Sequence, residues 1–98
     1  MRVEKSEKSI TIFLTGDIDA LNAMSVQREI EEILTAQGDS NLIFDARELA
    51  YISSAGLRVL LTIQKNQTGK ISVINISDDV LDIFRMAGFQ HFMDLKGV

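Results

Sequence analysis

Hydrophobic and polar side chains alternate along residues 10–15, and this period of two predicts a strand that ends at Gly16-Asp17. A short strand over residues 2–5 precedes it, and the polar residues 6–8 form the turn between the two strands. Leu42-Ile43-Phe44 is a continuous apolar run, which is typical of a strand covered on both faces. The first half of the chain therefore predicts a hairpin followed by a more central strand.

Apolar residues recur at helical spacing in two longer segments. The first segment runs from about Leu21 to Gln37, and Gly38 follows as a left-handed residue that ends the helix. The second segment runs from about Ser54 to Thr68 and stops at Gly69. Each predicted helix follows a predicted strand, so the two kinds of element alternate along the chain.

The last third of the chain continues the alternation. Residues 71–76 predict a strand, and Ser77 is expected to cap a third helix that ends at Gly88. Phe92 and Leu95 are expected to belong to a last short strand. The apolar stripe of the third helix, which we expect to face the core, consists of Val80, Ile83, Phe84 and Ala87.

This alternation of strands and helices implies right-handed crossovers and a largely parallel sheet. The hairpin at the start adds an antiparallel strand. We therefore predict an α/β fold in which a single-layer, mixed, mostly parallel sheet is packed with about three helices. Residues 1–98 are expected to form one domain. Met24, Met86 and Met93 are expected to fill gaps in the core or at its rim.

Composition and charge narrow the class of protein. The chain has 98 residues, no cysteine and a formal net charge of −4, which excludes disulfides and thiolate metal sites and makes nucleic acid an unfavourable ligand. The charged residues 1–8 lack the apolar core of a signal peptide, and no later stretch is apolar for long enough to span a membrane. We expect a cytoplasmic protein that binds neither nucleic acid nor membrane and carries no cofactor.

Three carboxylates near the predicted ends of strands suggest an alternative function. Asp17, Asp19 and Asp45 together suggest a Mg²⁺ site in a receiver-like phospho-acceptor domain. However, Ser77-Asp78 stands where a receiver domain carries a lysine, and turn or capping roles suit these aspartates better. His91 is the only histidine, and one imidazole builds neither a zinc site nor a Ser-His-Asp triad. We expect no metal site and no enzyme.

The segment from Asp45 to Arg58 joins the central strand to the second helix. It places small hydroxyl and methyl side chains at a helix start, where unpaired N–H groups give partial positive charge. Such a turn suits an anion or a phosphorylated hydroxyl, and it equally suits a docking surface for another protein. As a third interpretation, Ser53 or Ser54 is an ordinary N-cap.

Three motifs resemble those of one family. Ile52-Ser53-Ser54-Ala55-Gly56-Leu57 resembles the loop that marks STAS domains, the family named after sulphate transporters and anti-sigma factor antagonists. Leu14-Thr15-Gly16-Asp17-Ile18-Asp19 resembles its turn between the second strand and the first helix. Phe84-Arg85-Met86-Ala87-Gly88-Phe89 is similar to its passage near the C-terminus. Together the motifs span essentially the whole chain in the order that the family has.

The resemblance implies an anti-sigma factor antagonist. Such a protein-binding module sequesters an anti-sigma factor, often a serine kinase, and so frees a sigma factor for transcription. The partner-binding residues that the resemblance implies are Asp19, Ser53, Ser54, Gly56, Leu57 and Arg58. Arg58 suits a phosphate or a carboxylate of the partner, with a merely solvated helical arginine as the alternative. A scaffold STAS subunit of a larger sensory complex is the alternative function.

The chain departs from the family pattern at the phospho-switch. In phosphorylated members the kinase modifies the residue just before the motif's glycine, and here that residue is Ala55, which has no hydroxyl. Three explanations stay open: the switch has moved to Ser54 or Ser53, the domain binds unmodified, or it serves a pathway without this kinase. We favour loss of the usual switch, because moving a hydroxyl by one residue around a helix turns it through about 100°.

Overall fold

A computed structural model describes residues 1–38 and 40–98. Within these residues the elements are β1 (Val3–Lys5), β2 (Ser9–Ile18), α1 (Ala23–Gln37), β3 (Asn41–Ile52), α2 (Ser54–Lys65), β4 (Ser72–Ile76), α3 (Asp78–Met86), a short 3-10 helix (Phe89–His91) and β5 (Asp94–Gly97). The predicted order of strands and helices is confirmed.

The described strands form one sheet in the order β1-β2-β3-β4-β5. β1 pairs antiparallel with β2, and each later pair of neighbours is parallel. Each parallel strand lies next to the one before it in the chain, and since crossovers between parallel strands are right-handed as a rule, the helices gather on one face of the sheet. The predicted α/β class, with a mixed and mostly parallel sheet and, in the described ranges, three α-helices, is confirmed.

The core lies between the sheet and its helices. Ile12 of β2 and Phe44 of β3 are fully buried in one cluster with Ile30 of α1 and Leu60 of α2. Ile43, the neighbour of Phe44 along β3, points to the other face and is half-buried. The period of two in β2 and β3 therefore identifies the face that the helices cover.

β2 and β3 are both longer than the sequence predicts, since they continue to Ile18 and Ile52. In the described part of the chain, β3 pairs with β4 from Ile43 to Asp45, whereas its pairing with β2 continues to Ile52. Beyond β4 the two strands therefore form a two-stranded ribbon, with a register shift between Gly16 and Asp17. This ribbon leads directly into the starts of α1 and α2.

Two helix boundaries differ from the prediction. α1 begins at Ala23 rather than Leu21, because the residues before it form a turn, and α2 ends at Lys65 rather than near Thr68. Of the helices in residues 1–38 and 40–98, none combines the length and the apolar character needed to cross a membrane.

Several expectations about single residues are wrong. Gly38 has a positive φ of 70°, but its ψ of −142° lies outside the left-handed helical region. Phe92 precedes β5 rather than belonging to it, because the 3-10 helix takes up the residues before it. Met93 is buried as expected, whereas Met24 and Met86 are exposed, at 69% and 89%.

Candidate functional site

α1 and α2 begin side by side at one edge of the sheet. The reason is topological: β2 and β3 are parallel neighbours, so the helices that follow them start at the same edge. The Ser53 N–H donates a hydrogen bond of 2.8 Å to the Ile18 carbonyl, which joins the end of β3 to the end of β2. The turn before α1 and the first turn of α2 are therefore neighbours.

The turn between β2 and α1 is closed by its own side chains. Asp19 Oδ1 accepts hydrogen bonds from the Leu21 N–H at 2.9 Å and from the Asn22 N–H at 3.3 Å. Asn22 Oδ1 accepts one from the Asp19 N–H at 2.9 Å, and Asn22 Nδ2 donates to the Asp17 carbonyl at 2.7 Å. The half-buried carboxylate of Asp19 is thus part of the turn, a role that aspartate often takes.

Ser53 and Ser54 have different surroundings. Ser53 has an extended backbone and is the N-cap of α2, where its Oγ accepts a hydrogen bond of 3.3 Å from the Gly56 N–H. Ser54 follows as the first residue of the helix and is exposed. The N-cap interpretation therefore applies to Ser53, while the hydroxyl of Ser54 is on the outer surface.

Gly56 is buried under the first turn of α2. A Cβ at this position would lie 2.6 Å from Ile52 Cγ1, 2.8 Å from Ile18 Cγ2 and 3.0 Å from the Ile18 carbonyl oxygen. Because interiors are close-packed, no side chain fits there unless the ribbon moves. The residue therefore allows α2 to lie against the ribbon, and its expected contact with a partner stays a prediction.

The rest of the motif divides between the core and the surface. Leu57 is half-buried and packs against the core cluster, and Ala55 is half-buried as well. Arg58 is exposed, and its guanidinium forms no ion pair with another residue of the described ranges. Since Ser54 and Arg58 are four positions apart on a helix, they lie on the same face. The outer face of this helix start therefore presents a hydroxyl and a cation.

The carboxylates Asp17 and Asp45 do not come together. Asp45 is paired with Phe13 in the register of β2 and β3, whereas Asp17 is paired with Tyr51. Four residues of β2 separate these two levels, or about 13 Å along the strand. Residues 1–38 and 40–98 contain no cluster of three or more His, Cys, Asp or Glu side chains arranged to hold a metal ion.

Asp45 lies inside β3 rather than near its end, so the expectation about its position is wrong. Its side chain is only 4% exposed. It accepts hydrogen bonds from Asn75 Nδ2 at 3.0 Å and from the Arg47 N–H at 2.9 Å, and the Arg47 guanidinium is 3.6 Å away. The carboxylate therefore joins β3 to β4, and it is too buried to serve as a phospho-acceptor in this conformation.

Two exposed apolar residues at the start of α1 were not among the predicted site residues. Leu21 is 96% exposed, and Met24 is exposed as well. A leucine beside a predicted helix is normally assigned to the core, so hydrophobic periodicity gives no signal for it. The available signal was Asp19 and Asn22, two turn-forming residues that flank Leu21.

Comparison with known proteins decides the family. The family model described as the STAS domain matches residues 1–97. The chain belongs to the STAS domain family. This STAS domain is 28% identical over 98 residues to the anti-sigma-B factor antagonists of Listeria monocytogenes and Listeria innocua, covering 97% of this chain and 85% of each relative. The resemblance carried by the three motifs is confirmed.

Solved structures share the fold of this STAS domain. The anti-sigma factor antagonist SpoIIAA in its unphosphorylated form superposes with a TM-score of 0.78 at 18% identity, covering 96% of this chain and 85% of that chain. A crystal structure from Thermotoga maritima superposes with a TM-score of 0.87 at 11% identity, covering 99% of this chain and 86% of that chain. At such low identities these matches show the fold.

Proposed function

We propose that this STAS domain is an anti-sigma factor antagonist, which acts in the cytoplasm by binding a protein and not by catalysing a reaction. By holding an anti-sigma factor, it leaves the sigma factor free for transcription. The Listeria relatives carry this name and match nearly the whole chain. The structural observation that carries the proposal is the outer face of the α2 start, where Ser54 and Arg58 are exposed beside the Asp19 turn.

The shape of this surface supports a protein partner. The first three residues of α2, Ser54, Ala55 and Gly56, have small side chains or none. A flat partner surface can approach such a turn closely. Arg58 lies one helical turn further along on the same face, where it offers a bidentate donor for a carboxylate of the partner.

The phospho-switch is lost in this proposal. The position before Gly56 is Ala55, and the exposed hydroxyl belongs to Ser54, about 100° away around the helix axis. A kinase that phosphorylates the hydroxyl of the residue before the glycine would find the methyl group of Ala55 at that position. Incubation with a kinase-type anti-sigma factor and ATP should give no phosphopeptide in mass spectrometry. A phosphate on Ser54 or Ser53 would show that the switch has moved.

The function is tested by titrating the purified anti-sigma factors of the source organism with the wild-type chain in a calorimeter. We expect a 1:1 complex with at least one of them, and release of the sigma factor from its own complex with that protein. If none of them binds, the proposed function is wrong. Stable assembly with other STAS chains, without such a complex, would favour the scaffold role.

A further inference from the structure

Leu21 is held in an exposed position by a network of hydrogen bonds. Its side chain is 96% exposed. Exposure alone does not single it out, because single exposed apolar residues are common on protein surfaces. What distinguishes Leu21 is the turn beneath it, because its own N–H is bound by Asp19 Oδ1 at 2.9 Å. The flanking Asn22 is bound to Asp17 and Asp19. The side chain is therefore presented on a fixed backbone.

Fixed presentation matters for binding. Ordering a loop or a side chain at an interface costs free energy, and a residue already held in place avoids part of that cost. The Ala23 N–H continues the turn by donating to the Asp19 carbonyl at 2.9 Å, so the turn leads into α1 without a break. A solvated leucine on a backbone that is already held in place can enter an apolar pocket on a partner at a lower cost in ordering.

Met24 extends this apolar surface toward α2. It lies seven residues before Glu31, which places both on the same side of α1. Glu31 and Thr35 line the depression between α1 and α2 together with Asn66, so this side of α1 is the one that faces α2. Met24, three residues after Leu21, therefore lies on the side of α1 that faces α2.

We propose that Leu21, with Met24 beside it, is the hydrophobic anchor of this domain for an apolar socket on the anti-sigma factor, and that Asp19 is a positioning residue which holds the anchor. The inference rests on the proposed function. Because the exposed Asp17 lies beside this turn, a basic side chain at the rim of the socket would complement its charge. Asp19 acts through its hydrogen bonds to the turn and not through its charge.

The test is calorimetric titration of the anti-sigma factor that binds the wild-type chain. Leu21→Ala should weaken binding about 10- to 100-fold, because a leucine side chain no longer enters an apolar pocket. Leu21→Met keeps an apolar side chain of similar volume and should bind within about fivefold of the wild type. Met86→Ala removes another exposed apolar side chain, at the end of α3, and should leave binding unchanged. Thermal unfolding should show that all three variants are folded.

A pair of substitutions at Asp19 separates positioning from charge. The side-chain carbonyl of Asp19→Asn accepts the same two hydrogen bonds, so this variant should bind within about threefold of the wild type. Asp19→Ala removes them and should weaken binding about tenfold. If Asp19→Asn binds as weakly as Asp19→Ala, then the charge contacts the partner and the positioning role is wrong.

The outcomes distinguish the two proposals. If a wild-type complex forms and Leu21→Ala binds equally well, the anchor is wrong and the proposed function stands. If the wild-type chain binds none of the anti-sigma factors, both are wrong. Self-association of the wild-type chain that Leu21→Ala abolishes would mean that the anchor's occupant is a second copy, and would contradict the socket on an anti-sigma factor.

Discussion

Gly56 and Ser54 belong to the same helical turn and face opposite surroundings. On the inner side, Gly56 lies against Ile18 and Ile52 with no space for one more carbon atom. On the outer side, Ser54 is exposed, and Arg58 follows on the same face. One short motif therefore combines residues that the fold requires with residues that are free to bind a partner.

This comparison shows what each part of the motif does. Substitutions on the inner side should reduce stability, and binding should change only because the fold does. Substitutions on the outer side should change binding and leave stability nearly constant. Ser53 belongs to both sides, since its hydroxyl caps the helix and it lies at the edge of the surface.

The largest effect is expected on the inner side, for Gly56→Ala. The added methyl group would overlap with two isoleucine side chains and a backbone carbonyl, so the free energy of unfolding should fall by about 2–3 kcal/mol. For a domain of this size the melting temperature should fall by about 10–20 °C. Gly69→Ala is the matched control, because no atom lies within 4 Å of a Cβ there. Equal melting temperatures for the two variants would contradict the packing role.

On the outer side, Ser54→Glu should have the next largest effect. The added charge should weaken the complex with the anti-sigma factor about 10- to 100-fold, because it is buried against a surface shaped for a neutral hydroxyl. Stability should not fall, since a carboxylate at a helix N-terminus is favourable. Ser54→Ala serves as the control and should bind nearly as the wild type does. Undiminished binding of the Glu variant would place the interface elsewhere.

A smaller effect is expected for Ser53→Ala, which removes the cap of α2. The free energy of unfolding should fall by about 1 kcal/mol, as measured by chemical denaturation. Ser53→Asp keeps an acceptor for the Gly56 N–H and should recover most of the loss. If Ser53→Ala is as stable as the wild type, the cap does not contribute to stability.

The smallest effect is expected for Arg58→Ala. Its guanidinium lies at the rim of the proposed surface, and rim ion pairs contribute little, so binding should weaken about two- to fivefold. The proposed ion pair between Arg58 and a carboxylate of the partner is exposed to solvent, so the difference in affinity between wild type and variant should shrink at high salt. Arg85→Ala, at the end of α3, is the control and should bind as the wild type does. A larger loss for Arg85 than for Arg58 would reverse the assignment of the binding surface.

The order of elements was readable from the sequence because each strand and helix of the core keeps its own hydrophobic period. The period of two in β2 and the spacing of three and four in α2 each report one buried face. The family motifs added the expected position of the candidate site, at the start of α2. Neither the hydrophobic period nor the family motif predicts that Gly56 is buried and Ser54 exposed, since a motif does not state which of its residues are buried.

Other features depend on contacts between distant parts of the chain. The charged region around Asp45, Arg47 and Glu48 suggests the end of a strand, yet β3 continues to Ile52, because it stays paired with β2 after its pairing with β4 has ended. Asn75 has a positive φ of 57°. The exposure of Leu21 depends on the Asp19 turn, so no hydrophobic period predicts it.

The measurement that tests the central claim most directly is amide chemical-shift mapping. The isotope-labelled chain is titrated with the unlabelled anti-sigma factor that binds it, and each backbone amide is followed by NMR. We predict that the largest changes lie at residues 19–25 and 54–58, with none at residues 86–92, where Met86 and Phe92 are also exposed apolar residues. Changes concentrated at residues 86–92, with residues 54–58 unaffected, would contradict the account.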